Sequence, residues 1–158
     1  MIGKWSPEFF EEMKRIVQET VEKEVVQYIY EVMQDMIALT VYNAYSPTDY
    51  DRRGESDGGL GDITTYDYKI DMSENGFNIT VFANTQGNSN APNANLVGEP
   101  IDEVIVTGQG YSWEQSNIYR QQPYPRDFYK ATLDNLILTG ALDSIVRQSF
   151  KEKGINIK

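Results

Sequence analysis

Phe9, Met13, Ile16, Val17, Val21, Val25, Tyr28, Val32, Met36 and Leu39 recur at steps of three and four, with no Gly or Pro among them. Such a stripe is one face of a helix. Ser6-Pro7-Glu8 opens the run: Ser caps, Pro suits the first helical position, and an acid suits the positive end of the dipole. Pro47 closes it, because the residue before a proline leans extended. The spacing predicts a helix from about Pro7 to about Tyr42, on the order of 50 Å at 1.5 Å per residue. A helix of such reach packs against other chains as well as its own.

The rest of the chain reads as short elements around that rod. Residues 45–62 are rich in turn formers. Residues 63–84 form a hairpin: Tyr66, Tyr68, Ile70 and Met72 alternate with polar residues, and Phe77, Ile79, Val81 and Ala83 do so again after Asn75-Gly76. Residues 84–100 form a long polar loop, and Ile101–Thr107 is expected as a third strand. From about 127 to 153 the chain is helical, with Asp127 as cap and Ala131, Leu133, Leu136, Ile137, Leu142, Ile145, Val146 and Phe150 as its apolar face. Thr139-Gly140 kinks or splits that segment, and Gly154 ends it. The expected fold is α+β: a long N-terminal helix and a C-terminal helix packed on a small antiparallel sheet, as one domain over residues 1–158.

Composition narrows the chemistry. The chain has no histidine and no cysteine. That removes the commonest general base, thiolate nucleophiles, disulfides and the usual zinc ligands. With 24 acidic residues against 14 basic ones, the net charge is −10, so gripping phosphates is not the main task. Asp49 to Gly54 begins like a calcium loop, but Arg53 and Leu60 stand where acidic ligands belong. Gly108-Gln109-Gly110 lacks the third glycine of a dinucleotide loop, since Trp113 occupies that position. No pair of carboxylates is singled out for hydrolysis. No cofactor, metal or catalysis is expected. No apolar run approaches the ~20 residues of a membrane helix, and Met1 to Trp5 lacks the pattern of a signal peptide.

Two aromatic groups stand out in sequence, Tyr42 to Tyr68 and Tyr111 to Tyr129. They fill a core on the plain reading, or supply interface anchors on the sharper one. Tyr42-x-x-Tyr45-x-Pro47-x-x-Tyr50-x-Arg52-Arg53, then Gly59-Leu60, then Gly110 to Trp113, then Pro125-Arg126-Asp127-Phe128 follow one another after the long helix. This order resembles the tail-completion or neck proteins of tailed bacteriophages. It departs from them in the length of 84–100 and in Asp127, where a second proline is common.

The resemblance implies a virion protein at the head–tail junction. It implies a ring, commonly a hexamer, that touches head-connector and tail-tube proteins and lets DNA pass without reading it. It makes Tyr45, Pro47, Tyr50, Arg52, Arg53, Leu60, Tyr111, Trp113, Arg126 and Phe128 the expected interface residues. A tail-terminator ring and a small monomeric adaptor or inhibitor are the alternatives.

Overall fold

The computed structural model describes residues 6–44, 46, 52–73, 76–87, 97–109 and 124–156. Ser6 is extended, and its Oγ accepts from Phe9 N at 3.2 Å. From there the chain stays helical to Tyr42. α1 (Pro7–Thr20) passes through a wide π turn, Val21–Val25, into α2 (Val26–Ile37), and a second π turn covers Ala38–Tyr42.

The π turns have a packing cause. Val21, Val25, Ile29, Met33, Ile37 and Val41 are all buried, each four residues after the last. On an ideal α-helix a step of four overshoots a turn by about 40°, so this row drifts off its face. Wider turns take up the drift and hold the row against the core. The hydroxyls of Thr20 and Thr40 each bond the carbonyl four residues back, to Ile16 O and Met36 O at 2.7 Å, which loosens the helical ladder at both places. The stripe expected from the sequence is therefore corrected at its far end: Leu39 is exposed and Ile37 takes its place.

After a short 3-10 turn (Ile63–Thr65), β1 (Tyr66–Ser73) and β2 (Gly76–Ala83) pair antiparallel from Tyr66↔Ala83 to Ser73↔Gly76. The residues that join the strands, 74 and 75, lie outside those described. Gln86 and Gly87 then bridge back to Pro100 and Val97.

The third strand expected over 101–107 is instead a helix, α3 (Asp102–Thr107). The β-branched run Val104 to Thr107 suggested a strand, but Asp102 and Glu103 break any apolar alternation, and Ile105 and Val106 pack against the second core from a helix. Asp102 and Glu103 occupy the positive end, and Gly108 at φ 67° ends the helix by donating to Val104 O at 2.9 Å.

Asp127 caps α4 (Phe128–Thr139), its Oδ1 accepting from Lys130 N at 2.8 Å. Gly140 at φ 61° separates α4 from α5 (Ala141–Glu152). Beyond α5, Ile155 N returns to Phe150 O at 2.9 Å, with Gly154 at φ 78°.

The long helix is the spine of two adjoining cores. Val21, Val25, Val26, Ile29 and Val32 meet Leu136 and Phe150, with hairpin side chains Tyr68, Ile70, Phe77, Ile79 and Val81 against them. Met33, Ile37 and Val41 meet Leu60, Tyr66, Ala83 and Phe128. α1 stands largely clear of both, with Thr20 its one buried residue.

Candidate functional site

The Arg-Arg and Gly-Leu motifs fold over the end of the long helix. Arg52 Nη1 donates to Tyr42 O at 2.9 Å, and its guanidinium lies 5.1 Å from the Tyr42 ring centre. A cation at the carboxyl end of a helix satisfies a carbonyl that the helix leaves free. Arg53 Nη2 donates to Gln86 O at 2.6 Å, tying this loop to the segment after β2.

The Tyr42 hydroxyl is the hub between them. It accepts from Gly61 N at 2.7 Å and lies 3.3 Å from Arg53 O and 3.4 Å from Gly54 O. Burial raises its pKa, so it stays a neutral donor. On the other side of Gly61, Gln34 Nε2 donates to Gly61 O at 2.6 Å.

Gly59 has no room for a side chain: a Cβ there would stand 2.2 Å from Gly54 O and 2.6 Å from Arg53 C. The next residue, Leu60, is buried in the second core with Phe128. The glycine thus permits the close backbone crossing, and the leucine pins it.

Asp62 closes the loop. Its Oδ2 accepts from Gly58 N at 2.8 Å, and its Oδ1 accepts from Thr64 N at 3.0 Å and Thr64 Oγ1 at 2.6 Å. The Thr64 hydroxyl, then the two backbone N–H groups, hold this carboxyl below its ordinary value. Thr85, fully buried, joins the loop to the hairpin through Thr65 Oγ1 at 3.0 Å and Gly59 O at 3.4 Å. Tyr129 Oη accepts from Ala83 N at 2.9 Å and donates to Asp102 Oδ2 at 2.8 Å; burial first, then Asp102, raises its pKa. These are fastening bonds.

The expected interface residues therefore divide. Arg52, Arg53 and Leu60 come together with Phe128 around Tyr42, but they hold this chain to itself. Leu60 and Phe128 are buried, which corrects the expectation that they face a partner. Arg126 is half-buried, its N donating to Ile105 O at 3.0 Å. Tyr45, Pro47, Tyr50, Tyr111 and Trp113 lie outside the described residues.

A different surface is open. α4 is apolar on both sides: Phe128, Thr132 and Leu136 face the cores, while Leu133, Ile137 and Leu138 are 56%, 69% and 86% exposed. Leu133 and Ile137 were expected on one apolar face with Leu136, and that is corrected here: Leu136 is buried while the other two point outward. With Leu and Ile on both of its sides, α4 has no single apolar face by which to tell the inner one. The second π turn, with exposed Leu39, packs beside α4.

The profile of one protein family, YomN, matches residues 8–152. The chain belongs to the YomN family. YomN is a phage-associated family name. The match runs from the first turn of α1 to the end of α5, so the Tyr42 loop and the exposed face of α4 both lie within the YomN span. No curated protein and no solved structure matches the chain.

Proposed function

We propose that this YomN-family chain is a structural protein of a tailed-phage virion. In this reading it assembles as a ring, of six copies by the resemblance, at the head–tail junction. It meets the connector on one side and the tail tube on the other, and DNA passes through it without a catalytic step.

The observation that carries the reading is the outer face of α4. Leu133, Ile137 and Leu138 form an apolar surface on a chain of net charge −10, and such surfaces mark contacts between proteins. A cyclic ring needs two unlike patches per subunit. α4 supplies one. The projecting α1, with Phe9 and Phe10 exposed, supplies the other. The phage-associated family name supports the setting. The acidic balance suits a conduit, because like charge lets DNA slide.

Native mass spectrometry of the full chain, alone and with purified connector or tail-tube rings, tests this. Rings, or assembly on a partner ring, are expected, and Ile137→Asp is expected to abolish both while leaving the circular dichroism spectrum unchanged. A chain that stays monomeric with every partner, and is absent from purified particles, overturns the proposal.

A further inference from the structure

We infer that the outer edge of β1 is a docking site for the same edge of a second copy of this chain, related by a two-fold axis at Ile70.

The hairpin is a two-stranded sheet, so among the described residues nothing pairs with that edge. Asn84 N donates to Thr65 O at 2.9 Å, which sets the phase of the ladder. Odd-numbered β1 residues bond to β2, and the N–H and C=O groups of Tyr68, Ile70 and Met72 point outward. Tyr68 N is met by the Asp67 carboxylate at 2.8 Å, a side chain standing where a strand belongs.

The edge is complementary to itself. An antiparallel second copy centred on Ile70 sets Ile70 against Ile70 and Tyr68 against Met72. These are outward-pointing residues, so both pairs fall in hydrogen-bonding positions. Lys69 then faces Asp71 of the second copy, twice, at the closer non-hydrogen-bonded positions. Within one chain Lys69 Nζ already lies 3.1 Å from Asp71 Oδ1, both side chains more than half exposed. The dyad turns two such bridges into four alternating charges. On the inner face the apolar side chains of the two hairpins become continuous, and a marginal two-stranded sheet becomes four-stranded. A dyad at Tyr68 also pairs Asp67 with Lys69, but its ladder runs off into the turn Ile63–Thr65.

This contact does not rest on the ring proposal, because a two-fold contact closes at two copies. It would pair free subunits or join two rings back to back.

The test uses the full chain, which has no native cysteine. Lys69→Cys mixed with Asp71→Cys is expected to give disulfide-linked heterodimers in preference to homodimers of either. Residues opposed at such positions lie about 4.5 Å apart, within disulfide reach. By sedimentation, Lys69→Glu and Asp71→Lys are each expected to weaken dimerisation by about tenfold or more, and the swap Lys69→Asp with Asp71→Lys to restore it. Heterodimers of Asp67→Cys with Lys69→Cys instead would overturn the register. A concentration-independent monomer that no reversal changes would overturn the site, leaving those charges as guards against edge pairing.

Discussion

The Tyr42 loop and the hairpin both follow the long helix, and they invert what their sequences suggest. Residues 52–62 have the composition of a flexible connection, yet nearly every turn of the loop is fastened by a named bond. The hairpin has the most regular pattern in the chain, yet among the described residues no strand lies beside one of its edges. Regular periodicity describes how a segment pairs locally. It does not report how many of its polar groups the rest of the molecule satisfies.

The largest expected break in that contrast is Phe128→Ala. It leaves a cavity in the core that Leu60 shares and is expected to cost about 3–5 kcal/mol in chemical denaturation. Gly59→Ala follows, at about 3 kcal/mol, because its Cβ meets backbone rather than a yielding side chain.

Two buried tyrosines sharpen the comparison. Tyr42→Phe leaves Gly61 N without its acceptor and is expected to lose about 1–3 kcal/mol. The Tyr66 hydroxyl is buried with no hydrogen-bond partner among the described residues. Tyr66→Phe is therefore expected to cost nothing, and thermal melts of the pair read the difference.

The Asp62 effect is smaller and depends on pH. Its folded pKa lies below the ordinary 3.8, so its contribution is full above that value and disappears as pH falls through the folded one. Asp62→Asn is expected to destabilise the protein near neutrality and to flatten the acid limb of the stability curve. The smallest effect belongs to the open edge: Lys69→Glu is expected to change the stability of a dilute monomer by less than about 0.5 kcal/mol. Amide exchange gives the same contrast directly, with Gly58 and Gly61 slow, and Ile70 and Met72 fast in dilute protein.

Much of the fold was legible in the chain. Ser6, Asp127, Gly140 and Gly154 mark ends whose chemistry is local, and a cap needs only its own first turn. The hairpin alternation is equally local. The site was legible as a set of positions but not as a set of roles. Arg52, Arg53, Leu60 and Phe128 do meet, but as the fastening of one chain. Thr85 and Asp102 carried no signal, and Tyr129 stood out only as one aromatic of a group, because each gains its meaning from a partner more than twenty residues away.

By itself the sequence determined the long helix, the hairpin and the C-terminal helices, the class of fold and the chemistry ruled out by lacking histidine and cysteine, since each follows from residue type and short-range spacing. Tertiary structure alone decided which side of α4 faces outward, that 101–107 coils rather than extends, and that the helix widens twice to keep its four-step row buried. Those choices depend on what lies opposite each residue in space, and contacts of that kind are not ordered along the chain.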